Sequence, residues 1–309
     1  RGGKRPLHAF VAVCVLMFIA GCSSLPDQPD EIRTARSRVS QLNEFGDNYY
    51  RRGQYEQARN FYKLGFDLAR SVESLGQVGA LHNAIGQTWQ AEGAAEAARE
   101  EFDLALRIAL RTENRLLEAE SRTNLGKLEL EAGRHGEARA VFQNALELLG
   151  DDPEFRSQEA VIRHNLGTAI AGEGDLEGGR EQLQQALTLN EEGNFRFELA
   201  SNNYMLASVA SRAGDFEQAI RYAERALEID RTMENTMGII SDLRALSRIA
   251  VRMNENDRAF EYLDRARSVA AGAAKETIER ALLDELLPLA EELDHTDDVR
   301  RYRQRLEEL

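Results

Sequence analysis

Three columns of small residues recur along this chain at a spacing of about forty residues, and a chain so patterned has few ways to fold. Gly46, Gly86, Gly126, Gly167, Ala207 and Ser247 form the first column, with steps of 40, 40, 41, 40 and 40. Ala58, Ala98, Ala138, Gly179, Ala219 and Ala259 follow twelve residues later, in the same steps. Gly65, Ala105, Ala145, Ala186, Ala226 and Ala266 lie seven beyond those. Self-similarity at this period marks stacked supersecondary units, none of which can bury its own apolar face alone. The single longer step places its extra residue between Ala145 and Gly167, where Gly150-Asp151-Asp152-Pro153 reads as a loop.

Each unit is punctuated near its middle. Gly53, Gly93, Gly133, Gly174 and Gly214 stand before the second apolar run, and Asn254 takes their place in the sixth unit. These residues tolerate the left-handed backbone that ends a helix, so each unit is expected to be a helix pair. Asp175 and Asp215, one residue on, are suited to cap the second helix. Ala, Leu, Glu and Arg dominate, only five prolines occur, and no stretch alternates Val or Ile with polar residues. The expected fold is all-α: an α-solenoid of about six helix pairs with a C-terminal capping pair.

The bulky positions between the small columns carry a resemblance. Tyr49 and Trp89 follow the first column by three residues, Tyr55 and Phe216 follow the turn, and Tyr62, Phe102 and Phe142 fill a late aromatic site. An apolar–Gly pair, an aromatic, a turn Gly, an aromatic, Ala and a final Ala resemble the tetratricopeptide repeat, over roughly residues 31–309. The common repeat has about 34 residues; this one resembles the longer-helix members such as kinesin light chain. The resemblance implies a right-handed superhelix with its first helices on the concave side. Six units are expected at 39–78, 79–118, 119–159, 160–199, 200–239 and 240–279, within 31–279, followed by a degenerate pair over 280–309 built on Leu286, Leu289, Leu293, Val299 and Leu306. Ala210 and Ala223 replace aromatics in unit five, and His135 and Asn256 stand at the site after the turn, so looser packing is expected there.

The N-terminus is of another kind. Arg1, Lys4 and Arg5 precede an unbroken apolar run from Ala9 to Ala20, which ends in Gly21-Cys22-Ser23-Ser24. The run is too short to span a hydrocarbon core of about 30 Å and matches a signal-peptide core. Ile19-Ala20-Gly21-Cys22 resembles a bacterial lipobox, which implies cleavage before Cys22, acylation of its thiol and amine, and a membrane anchor. Residues 1–21 are thus expected to be a signal peptide and residues 22–30 a lipidated tether. Ser23 in place of Asp implies the outer membrane, facing the periplasm. The sequence opens on Arg1 rather than Met, and its start is expected further upstream.

Positions i, i+4 and i+7 on each first helix share a face, and here they are mostly polar. The expected peptide-binding residues are Asn43, Asn83, Gln87, Asn124, Lys127, Asn165, Tyr204, Arg212, Arg244, Arg248 and Arg252. Amides suit the backbone of an extended peptide and arginines its carboxylates; for Asn124 and Asn165 the main-chain role is what the resemblance implies.

Other chemistries fare poorly. Net charge is −14, or −17 without Arg1, Lys4 and Arg5, which repels nucleic acid. Cys14 and Cys22 are the two cysteines, so no thiol nucleophile, disulfide framework or thiolate metal site exists beyond residue 22. The histidines show no metal spacing. The glycine-rich stretch 172–179 lacks a lysine and carries three acids, which excludes a phosphate loop. No cofactor, no metal and no enzymatic activity are expected. The reading is a lipid-anchored periplasmic scaffold or adaptor that binds partner proteins or peptides in envelope assembly; the alternatives are a peptide-sensing regulatory solenoid and, behind it, a cell-wall-acting enzyme.

Overall fold

The computed structural model describes residues 30–150 and 152–309, so the signal-peptide, Cys22 and tether expectations lie outside the described residues. Fourteen α-helices follow one another with no strand among the described residues. They are α1 (Asp30–Arg51), α2 (Tyr55–Ser71), α3 (Leu75–Ala91), α4 (Ala95–Thr112), α5 (Arg115–Glu131), α6 (His135–Leu149), α7 (Arg156–Gly172), α8 (Leu176–Gly193), α9 (Arg196–Ala213), α10 (Phe216–Thr232), α11 (Thr236–Arg252), α12 (Asn256–Gly272), α13 (Glu276–Glu292) and α14 (Thr296–Glu308). The described residues divide into two compact units, one ending at Val78 and the other running from Gly79 to Leu309.

The turn residues behave as their chemistry requires. Gly53, Gly93, Gly133, Gly174, Gly214 and Asn254 all have positive φ and close the first helix of a pair. Asp175 and Asp215 accept the amide hydrogens of Gly178 and Gln218 at 2.9 and 3.1 Å, satisfying orphan donors at the starts of α8 and α10. The extra residue of the long step is absorbed by Gly150 and a 3₁₀ turn, Pro153–Phe155. Between units the turns use Glu73, Glu113, Asn194, Glu234 and Ala274 in the left-handed region. The first helices begin at Leu75, Arg115, Arg156, Arg196, Thr236 and Glu276. Each lies four residues before the expected unit edge at 79, 119, 160, 200, 240 or 280, because the small columns report packing at mid-helix and carry no information about where capping begins.

The small columns are where helices touch. Ala58, Ala98, Ala138, Ala219 and Ala259 are fully buried. A Cβ added to Gly46 would lie 2.2 Å from the Tyr62 ring, one on Gly86 2.5 Å from Phe102, and one on Gly126 2.6 Å from Phe142. The first column and the late aromatic column therefore face each other within each pair, and ring and missing side chain share one volume. Unit four replaces the ring with Leu183, and its helices approach backbone to backbone: a Cβ on Gly179 would stand 2.8 Å from the Gly167 carbonyl oxygen. Unit five pairs Ala207 with Ala223, both fully buried. Unit six pairs Ser247 with Leu263, and the Ser247 hydroxyl donates to the Ala259 carbonyl at 2.9 Å. The short side chains of unit five do leave a cavity of about 60 Å³ beside Ala210 and Ala213.

The last pair is held partly by charge. Glu279, buried on α13, accepts a two-pronged hydrogen bond from Arg305 of α14 at 2.9 and 2.8 Å. The Arg305 guanidinium holds this carboxyl below the usual carboxylate range against the opposing effect of burial. Tyr302, buried beside Phe260, donates to Asp264 at 2.7 Å.

Candidate binding face

The first helices of the second unit present one polar row, contributed by α3, α5, α7, α9 and α11. It is deepest where α3, α5 and α7 contribute and opens toward α11. Asn83, Thr123, Asn124 and Asn165 are buried, whereas Gln87, Lys127, His164, Thr168 and Tyr204 are half-buried. Ser208 and Arg248 are exposed. Asn43 belongs to the first unit, where its amide donates to Asp47 at 3.3 Å.

Hydrogen bonds decide which of these groups remain available. Asn83 donates to the Ser121 hydroxyl at 3.1 Å, and its own carbonyl oxygen is buried without a partner. Gln87 donates to Asn124 at 3.3 Å, and Gln90 to Glu131 at 2.7 Å. Asn165 turns back on its own helix and donates to the Val161 carbonyl at 2.7 Å, as Asn203 does to Leu199 at 2.8 Å. One of the two side-chain amide hydrogens of Asn165 is thus already bound to backbone.

The arginines divide in two. Arg212 donates to the Ala171 carbonyl at 2.8 Å, and Arg252 to the Ser211 carbonyl at 2.6 Å. Both reach one repeat back and satisfy a carbonyl in the last turn of the preceding first helix, where the helix dipole is negative. They tie α7 to α9 and α9 to α11, a structural role that spacing alone did not reveal. Arg244 pairs with Glu285 of α13. Arg248 donates to the Tyr204 hydroxyl at 3.2 Å and remains exposed.

Lys127 and His164 are the electrostatic centre of the row. Burial pushes the Lys127 ammonium below its ordinary value, with Glu131 opposing weakly. Burial likewise brings His164 down to about 4, against a hydrogen bond to Asn202 and helped by the Lys127 charge. The imidazole is therefore neutral at pH 7, and its Nδ1 is buried without a partner. Lys127 supplies donors, while the Asn83 carbonyl and the His164 Nδ1 supply acceptors. This is the complement an extended backbone presents.

A fourth repeating position was missed in the columns. Ala69, Ala109, Leu149, Asn190, Asp230 and Ala270 share one register, and Leu81, Ser121, Ile162, Asn202, Asp242 and Leu282 another. Asn190 and Asp230 interrupt columns that are otherwise Ala or Leu, which is the signal tabulation would have found. Asn190 donates to Asn202 at 2.9 Å, and Asn202 to the Leu183 carbonyl at 2.8 Å, all within the core.

Among the described residues no group of three or more His, Cys, Asp or Glu side chains is placed to hold a metal ion. No helix among them is long and apolar enough to cross a membrane.

Residues 77–150 and 158–232 match the family model described as tetratricopeptide repeat. No curated protein matches the chain in sequence. Similar solved structures include a Rap protein complexed with competence and sporulation factor, 16% identical, TM-score 0.61, covering 88% of this chain and 74% of that one. The Rap conjugation gene regulator of plasmid pLS20, in complex with the Phr* peptide, is 15% identical with TM-score 0.63, covering 98% and 84%. PilW, a type IV pilus biogenesis factor, is 20% identical with TM-score 0.53, covering 74% and 92%. At these identities the likeness is one of fold.

Proposed function

On the premise that the chain is a tetratricopeptide repeat protein, we propose that it is a non-enzymatic scaffold holding an extended segment of a partner protein along its first helices, attached to the bacterial outer membrane through lipidated Cys22. The observation that carries the binding role is the desolvated Lys127–His164 centre, where the Asn83 carbonyl oxygen and His164 Nδ1 on the same face make no hydrogen bond among the described residues. Buried polar groups are costly until paired, so a ligand that pairs them gains what the empty face lacks. One of the similar structures is named as a complex with a peptide, which supports an extended occupant. PilW is named a pilus biogenesis factor, which supports envelope assembly as the setting.

The binding test places a photo-crosslinking residue at Thr168 or Ser208, on the row, and at Gln143 of α6, off it. A defined adduct is expected from the first two and lost in the Lys127→Glu/Arg248→Glu variant, which spares the structural Arg212 and Arg252. Equal adducts from Gln143 would refute the assigned face. The anchor has its own test. Cys22→Ser is expected to move the protein from the membrane to the soluble fraction, since the acyl chains contribute about 0.8 kcal/mol per buried CH₂; unchanged membrane retention would refute lipidation.

A further inference from the structure

Asp230 of α10 and Asp242 of α11 are 4% and 1% exposed, and the Asp230 carboxyl lies against Gly238, one turn before Asp242 on α11. Two carboxyl groups buried this close favour holding one proton between them. The Asn235 amide donates to Asp230 Oδ1 at 2.9 Å, and Asp242 Oδ2 is buried without a partner. The backbone at Gly238 presses on the pair: a Cβ there would lie 1.9 Å from Asp230 Oδ2. No cation relieves them. The one charge acting on Asp242 is that of Asp230, and the polar groups acting on Asp230 are Asn235 and Asp242. Cations on the adjoining stretches are committed elsewhere: Arg196 of α9 to the Thr232 hydroxyl, Arg244 of α11 to Glu285, and Arg267 of α12 to Asp264. One repeat upstream the equivalent positions are Asn190 and Asn202, two amides that make the same joint with the neutral His164 ring beside Asn202.

We propose that the α10–α11 junction is a pH-operated joint, closed while Asp230 and Asp242 share one proton and loosened when that proton passes to solvent and leaves two buried carboxylates facing each other. Like charges at such separation in a dry site repel strongly. The Arg248–Tyr204 and Arg252–Ser211 bonds both run from α11 to α9, so a loosened α11 shifts the basic end of the polar row relative to its centre.

The direction of the pH response follows from linkage. Burial and the Asp230 charge push Asp242 up to about 8, whereas an unfolded aspartate titrates near 3.9. The folded joint thus holds a proton that the open chain has lost. Its closure is complete below the unfolded value and is lost as pH rises through about 8. Between pH 6 and 8 the opening constant should rise about fiftyfold, by nearly tenfold over the first pH unit and less over the second as the closed joint itself titrates.

The test is amide hydrogen exchange of α10 and α11 in the full chain at pH 6 and 8, corrected for intrinsic rates. The wild type is expected to show that rise. Asp242→Asn and Asp230→Asn/Asp242→Asn, which copy the upstream joint, are expected to show none. An Asp242→Asn protein that keeps the wild-type response overturns the proposal. Infrared spectroscopy of the wild type needs no variant: a carboxyl band that titrates near pH 8 is expected, and its absence at pH 7 overturns the proposal equally.

Discussion

Phe142→Ala is expected to destabilise the protein by about 3–5 kcal/mol, since it empties a fully buried ring site between α5 and α6. Gly126→Ala should cost about 1–3 kcal/mol by overpacking, because the new methyl would begin 2.6 Å from that same ring. The informative variant is the double one. With the ring gone the added methyl meets no obstacle and fills part of the cavity, so the combined cost should fall below the sum of the two by about 0.5–3 kcal/mol. Unit five already exists in that state, with Ala207 against Ala223. Urea unfolding of the four proteins, with unchanged m-values, measures the cycle. Simple additivity would mean that residue 126 and residue 142 do not share a volume.

Asn202→Leu tests the opposite kind of core. Asn202 is 1% exposed, accepts from Asn190 and donates to the Leu183 carbonyl. Leucine there abandons the Asn190 amide and the His164 ring hydrogen in the interior, at about 1–3 kcal/mol for each group left unpaired. Replacing both partners removes the need for either. Asn190→Leu/Asn202→Ile reproduces the Leu149/Ile162 pair of the preceding joint and should recover most of the loss, leaving the His164 hydrogen as the remaining deficit. Thermal unfolding of the single and double variants decides it; a double variant less stable than the single one would show that the two joints have different shapes.

Both experiments probe what was and was not legible beforehand. The small columns, the turn glycines and Asn254 identified the helix pairs because each has a local cause: a left-handed residue, a cap or a close crossing. Asp175 and Asp215 were readable as caps for the same reason. The starts of the first helices were displaced by four residues because a packing column says nothing about capping. In the binding face, Lys127 stood out by type and position, but its coupling to His164 depends on α5 and α7 lying side by side. Arg212 and Arg252 look like groove cations in one dimension; only the adjacent helix shows that each is held by a carbonyl forty-one residues back.

What the sequence determined by itself is the repeating unit, since helix termination and side-chain volume are properties of neighbouring residues and of a fixed period. What only the tertiary structure decided is which polar groups are spent and which are free. The partner of Asn165 is its own backbone, that of Asp242 is another acid, and Lys127 is desolvated with Glu131 as its one charged neighbour among the described residues. Those outcomes depend on burial and on the facing helix, and the electrostatic cost of a polar group is set by what surrounds it in space.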